Sequence, residues 1–173
     1  MDPADLLFIA AFLLTGTSYL IHTVAHLRES RGQPDSDSNL IFDIIVAAGY
    51  TSWTAMLFLD PVRLGIPDGI AFFGGVLGIG GLILMIIAER TKGGFYRSDT
   101  LVTTGIYRWM RHPMYGGIIL MHIGFPLLLR ALVTLISAAF WIPLILIWRS
   151  WEETELTERF GDAYQEYRER TWF

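Results

Sequence analysis

Apolar positions along the chain gather into five long runs, at residues 6–27, 40–59, 70–87, 113–129 and 132–148, with charged or turn-forming residues between them. A helix needs about 20 mostly apolar residues to cross the hydrocarbon of a bilayer, and the last two runs, at about 17, lie at the short end of that range. The pattern predicts an all-α integral membrane protein of five transmembrane helices. Arg130 parts the last two runs, which predicts a tight helical hairpin. The third run carries Gly74, Gly75, Gly78, Gly80 and Gly81, and the spacing of Gly74 and Gly78 suits close approach of membrane helices. Small residues there also predict a lateral gap between the third run and the hairpin.

Two polar stretches interrupt this pattern. Residues 89–111 lie between the third run and the hairpin, and residues 149–173 follow it with a high density of charge. In the second stretch Leu156, Phe160, Tyr164 and Tyr167 recur at helical spacing and form one apolar stripe. Gly161 is placed to end one helix, and Asp162 with Gln165 has capping-box spacing to begin another. The expected outcome is two short helices against the membrane face. No repeat or low-complexity tract divides the chain, so residues 1–173 read as one domain, with three amino-terminal spans in 1–88 and the remainder in 89–173. Residues 31–38 read as a loop.

Charge then orients the bundle. With the amino terminus outside and five spans, eleven of the thirteen basic residues fall on the cytoplasmic side, and Arg63 and Arg130 fall opposite. Both polar stretches then share the cytoplasmic face. A hydrophobic content of 53% and a mean hydropathy of +0.43 support the membrane reading. The net charge of -4 offers no basic excess for nucleic acid. No cysteine is present, which excludes disulfides, thiolate metal ligands and a thiol nucleophile. The first run has no basic leader and no small-residue cleavage site, so it reads as a retained span rather than a signal peptide.

Three ordered motifs carry candidate chemistry. They are Leu101-Val102-Thr103-Thr104-Gly105-Ile106-Tyr107, then Arg111-His112-Pro113-Met114-Tyr115, and finally Glu152-Glu153 followed by Leu156, Phe160-Gly161, Tyr164 and Tyr167. In order and internal spacing they resemble the membrane methyltransferases typified by isoprenylcysteine carboxyl methyltransferase and its phospholipid-methylating relatives. The resemblance implies S-adenosyl-L-methionine as cofactor, held in a cytoplasm-facing pocket. Leu101, Val102, Tyr107, His112, Pro113, Met114 and Tyr115 would line it, and Glu152 would take one polar end of the cofactor. In the prenylcysteine enzymes an arginine stands about one turn before the first glutamate. Here Trp148 holds that register and Arg149 follows it.

The residue types suit such a ligand. Tyr107 and Tyr115 offer aromatic faces. His112 precedes Pro113, a residue suited to the first turn of a helix, where free amides meet an anion. Glu152 can accept from a hydroxyl pair or an ammonium. Methyl transfer from a sulfonium needs chiefly an in-line, dry approach. For a carboxylate acceptor Arg149 is the expected orienting cation. For an amine acceptor Glu153 is the expected base. The acceptor stays open between an isoprenylcysteine carboxylate, a phospholipid amine, a small thiol and another apolar metabolite, and the expected partners are a lipophilic or lipid-modified substrate and membrane lipids. An NADPH-dependent membrane reductase and a non-enzymatic membrane protein are the alternatives of other classes.

Blander roles apply to several residues. Arg108 suits a positive-inside anchor, and Trp109 suits an interfacial aromatic belt. Glu155 and Arg159 have the spacing of a solvated helical pair. Asp43 suits a helix cap or a partner for Arg28 or Arg31. His22 and His26 share a helix face without a third metal ligand in view, and His122 suits hydrogen-bonded packing.

Overall fold

The computed structural model describes residues 2–29, 40–93 and 100–173. The loop expected at 31–38, with Arg31, and the basic residue Arg97 lie outside the described residues. Among the described residues the architecture is all helical: α1 (Pro3–Glu29), α2 (Leu40–Leu59), α3 (Asp68–Lys92), α4 (Pro113–Leu129), α5 (Leu132–Phe160) and α6 (Asp162–Glu169), with a 3-10 turn at Gly105–Arg108 before α4. Four helices are long and apolar enough to cross a membrane, at Pro3–Arg28, Ile41–Leu59, Asp68–Lys92 and Leu132–Phe160, and Pro113–Leu129 is a shorter apolar helix.

The helices pack in two pairs, α1 with α2 and α3 with α4, and α5 joins them by contacting both α4 and α1. Large apolar side chains such as Leu13, Ile41 and Phe72 point outward. Small and hydroxyl residues face inward, and Thr15 and Ser52 share a hydrogen bond of 2.9 Å between α1 and α2. This is the inverse of a water-soluble bundle and follows from a solvent as apolar as the side chains.

The glycines of α3 are consumed by its contact with α4. A Cβ added at Gly81 would lie 2.5 Å from the Gly117 carbonyl oxygen, and one at Gly124 would lie 2.2 Å from the Gly78 nitrogen. Backbone meets backbone here, so the lateral gap expected between α3 and α4 is closed along these positions. A small cavity of about 30 Å³ lies instead among α1, α2, α4 and α5, where Tyr19, His22, Tyr50 and Trp148 contribute to its wall.

At the end of the bundle away from the 3-10 turn, Asp60 closes the start of α5. Its carboxylate accepts from the Val133 and Thr134 amides at 3.3 and 2.7 Å and from the Thr134 hydroxyl at 2.8 Å. Arg63 donates to the carbonyls of Leu57, Phe58 and Leu129, and Arg130 pairs with Asp68. Both basic residues of this end therefore serve helix termini. Asp43 lies in the first turn of α2. His122 is held by Ile118 O at 2.9 Å and by the Tyr19 hydroxyl at 2.8 Å, and it stacks on Trp53.

The largest departure from expectation is α5, which does not stop where the apolar run ends at 148. It continues through the charged stretch to Phe160. The i,i+4 pairs Arg149–Glu153 at 3.1 Å and Glu155–Arg159 at 3.4 Å support this extension. Gly161 ends it with φ 51° and ψ -127°, a conformation that side chains strongly disfavour. The first of the two expected short helices is thus the end of α5, and the second is α6. Asp162 does not cap α6; Gly161 holds the cap position, without a side-chain hydrogen bond.

Candidate active site

Pro113 occupies the first turn of α4, fully buried, and so fixes the position of His112 at the helix start. The imidazole is buried and faces the extended end of α5. Its Nε2 lies 3.3 Å from Glu153 Oε1, and its Nδ1 lies 3.7 Å from Glu152 Oε2. The two sequence-distant motifs therefore meet, about forty positions apart in the chain.

Glu153 is the centre of a cationic clamp. Arg111 Nε donates to its Oε1 at 3.2 Å and Arg149 Nη2 donates to the same atom at 3.1 Å, alongside His112. Arg149 also lies under the Phe173 ring, 4.6 Å from its centroid, and its Nε is buried without a hydrogen-bond partner among the described residues. The base role expected of Glu153 is opposed by this setting, because a proton taken on its other oxygen would remove the charge that assists all three contacts to Oε1. Glu152 differs. Its side chain is 28% exposed, and among the described residues its polar partner is His112 at a distance beyond hydrogen bonding. Lys92, ending α3, and His26, near the end of α1, lie within electrostatic reach of it.

Arg111 carries a second function. Its Nη1 donates to the carbonyl oxygens of Arg168 and Thr171 at 3.1 and 2.5 Å. The Arg111 and His112 amides donate to the carbonyls of Trp172 and Phe173 at 3.1 and 3.0 Å. Trp172 pairs with Met110 in a parallel bridge, so residues 171–173 form a strap beside the start of α4. The Tyr167 hydroxyl donates to Tyr107 O at 2.6 Å, tying α6 to the 3-10 turn. These ties fold the tail over His112.

Titration behaviour follows from this packing. Burial of His112 opposes its charged form, but the hydrogen bond to Glu153 and the charges of Glu152 and Glu153 outweigh burial and raise its pKa above 6.5. Burial, then the Glu152 charge and Tyr167, hold the Tyr107 phenol well above its ordinary range. Tyr164 is fully buried, its hydroxyl lacks a partner among the described residues, and burial followed by the Glu153 charge raises its pKa too.

Of the residues singled out in the sequence, Tyr107, His112, Pro113, Arg149, Glu152 and Glu153 converge here. Tyr115 stacks beside His112, with ring centroids 5.8 Å apart, and reaches the apolar cluster of Ile118 and Trp148. Leu101 and Val102 lie half-buried on the extended segment before the 3-10 turn, and Met114 is half-buried in the first turn of α4. Arg111 and Tyr164 stood in the motifs but not among the site residues expected from the sequence. The signal for Arg111 was its place in the Arg-His-Pro motif, and for Tyr164 its place on the apolar stripe.

A profile of the family described as Phospholipid methyltransferase matches residues 69–163, more than half of the chain, from α3 through the start of α6. The chain belongs to the phospholipid methyltransferase family. This family member is similar to protein-S-isoprenylcysteine O-methyltransferases. With that of Homo sapiens it is 36% identical over 79 residues, 42% of this chain and 26% of that protein. With that of Dictyostelium discoideum it is 28% identical over 117 residues, 57% of this chain and 46% of the relative. With that of Schizosaccharomyces pombe it is 33% identical over 92 residues, 50% and 35% of the two. The chain thus spans between about a quarter and just under half of the length of these curated relatives. No solved structure gives a significant match.

Proposed function

We propose that this chain transfers a methyl group from S-adenosyl-L-methionine to a lipophilic acceptor at the cytoplasmic membrane face, and that the acceptor group is a carboxylate of the isoprenylcysteine type. The observation that carries the reading is the meeting of Arg111-His112 with Glu152-Glu153, inside the region shared with the family. The polar inventory fits the cofactor. Glu152 retains capacity to accept, and Arg149 Nε and the Tyr164 hydroxyl are buried polar atoms in need of partners. Glu152 would hold a hydroxyl pair or the ammonium, and Tyr107 and Tyr115 would supply aromatic walls. Leu101, Val102, Pro113 and Met114 would give the apolar lining. When bound, the cofactor supplies a methyl group on a positively charged sulfur.

The choice of a carboxylate acceptor follows from Glu153. A carboxylate reacts without losing a proton, whereas an amine needs a base, and the clamp leaves Glu153 ill-suited to that task. Arg149 would orient the acceptor through the edge that Glu153 leaves unused. The names of the similar proteins favour the same acceptor. In this reading α4 also crosses the bilayer, since α3 flanks it closely from Gly124 to Gly117. The apolar part of the acceptor would approach from the α1–α2 side, where the small cavity lies, and not between α3 and α4.

Calorimetry on the purified protein tests the cofactor. Binding heat is expected in the unmodified chain and a loss of at least tenfold in affinity in Glu152→Gln, in line with the loss of a charge-assisted contact of about 1.5–3 kcal/mol. Absence of heat in the unmodified chain would sink the reading. A farnesylated cysteine analogue should then give a base-labile methyl ester; a base-stable methylated product would redirect the acceptor to an amine or thiol.

A further inference from the structure

Outside the Tyr107–Tyr167 contact lies a cleft of about 570 Å³, between the segment leading into the 3-10 turn and the end of α6. Thr103, Thr104, Arg108, Trp109, Arg170 and Thr171 contribute to its wall. It presents two guanidinium groups and the hydroxyls of three threonines, and among the described residues no carboxylate belongs to its lining. Arg108 makes no ion pair or hydrogen bond with its side chain among the described residues. Arg170 reaches Glu166 at 3.6 Å in an i,i+4 pair whose side chains are 66% and 71% exposed, a contact easily exchanged. On the same edge the Trp172 amide donates to Trp109 O at 3.3 Å, and both indoles are about two-thirds exposed.

Paired arginines with hydroxyls suit the oxygens of a phosphate, which guanidinium groups hold in a bidentate manner. Exposed indoles next to that charge suit the headgroup layer of a membrane, a setting that a dissolved phosphate would not require. We propose that this cleft binds the phosphate of an anionic membrane phospholipid, with Trp109 and Trp172 seated among the headgroups. Its two walls are the segments that Tyr167 and Arg111 draw together over His112. A lipid phosphate shared by Arg108 and Arg170 holds those walls together, so anionic lipid favours the closed tail. This site is separate from the one proposed for the cofactor, and its existence does not depend on methyl transfer.

The test is native mass spectrometry of the full chain in detergent with equal amounts of phosphatidylglycerol and phosphatidylcholine. The unmodified chain is expected to retain phosphatidylglycerol preferentially. Each arginine near an anionic surface contributes about fivefold, so R108A/R170A is expected to lose about 25-fold in that preference. R108Q alone, at an exposed side chain with no hydrogen bond or ion pair among the described residues, is expected to lose about fivefold, and it decides the matter if the double variant is misfolded by circular dichroism. Equal retention of the two lipids, or a preference unchanged in R108Q, overturns the proposal. Displacement of the lipid by millimolar inorganic phosphate overturns its assignment to a membrane lipid. Cofactor calorimetry on the same samples keeps the two readings distinguishable: equal retention of the two lipids by the unmodified chain, with its binding heat intact, fails only this site.

Discussion

His112 is placed between two carboxylates and buried, and the balance of these effects decides its charge. Burial alone would keep it neutral, but Glu152 and Glu153 raise its pKa above the ordinary 6.5. Its protonated form therefore stabilises the folded tail fully below that ordinary value, and the contribution fades as pH rises through the raised one. Thermal unfolding of the unmodified chain and of His112→Asn should differ by about 1–3 kcal/mol near pH 6, with the gap shrinking as pH rises through the raised pKa. A gap that widened with pH would show that His112 is held neutral. Glu153→Gln acts on the same cluster from the other side. It leaves Arg111 and Arg149 facing a neutral amide, and should cost about 3–5 kcal/mol with early proteolysis of residues 161–173, whereas Glu152→Gln should change stability by under about 1 kcal/mol. That the His112 and Glu152-Glu153 motifs share one site was expected from the family resemblance, because each belongs to a compact motif; their direct pairing was not. The division of labour between Glu152 and Glu153 was not legible either, since adjacent helical positions differ in direction only once the neighbouring helices are placed. Arg111 was missed as the bond between tail and α4 because its partners are backbone carbonyls, which any sequence supplies.

Helix identity and starting points followed from the apolar runs, and α2 and α4 coincide with them. The error lay at the end of α5. Residues 149–160 are charged, and polarity was read as the end of a span, but nothing before Gly161 breaks a helix. Hydrophobicity reports where the membrane stops, whereas propensity and side-chain pairing report where the helix stops. The glycines of α3 illustrate the same distinction: their spacing foretold a close contact, but only the partner helix shows that the contact fills the space. Gly124→Ala should therefore destabilise the protein by about 1–3 kcal/mol or more, since its Cβ would strike the backbone of Gly74 and Gly78. Gly80 meets nothing within 4 Å, and Gly80→Ala should be neutral or gain up to about 1 kcal/mol. Thermal midpoints in the same lipid nanodiscs check both; equal effects would mean that α3 and α4 separate more readily than their packing implies.

One reversal of the chain brings the molecule's chemistry to one end. Residues 149–160 carry α5 about 18 Å beyond its apolar run, and Gly161 turns the chain so that α6 and the strap come back over the start of α4. The carboxyl ends of α1, α3 and α5 and the amino end of α4 thus share one end of the bundle with the tail. The amino terminus of α1 and the α2–α3 and α4–α5 connections share the other. Basic residues are concentrated at the first end, and the two at the second are engaged with helix termini. That asymmetry favours a cytoplasmic tail. The chain contains no cysteine, so single substitutions report position without interference. Asp2→Cys and Val62→Cys should react with a membrane-impermeant maleimide on intact cells, and Asp162→Cys should react only after permeabilisation. All three positions are exposed, so a lack of reaction reflects the membrane rather than burial in the protein. The reverse labelling pattern would put the His112–Glu153 cluster on the outer face, away from a cytoplasmic supply of S-adenosyl-L-methionine. Reaction of Val62→Cys and Asp162→Cys from the same side would instead mean that α4 does not cross, because the remaining spans between those positions would then be even in number.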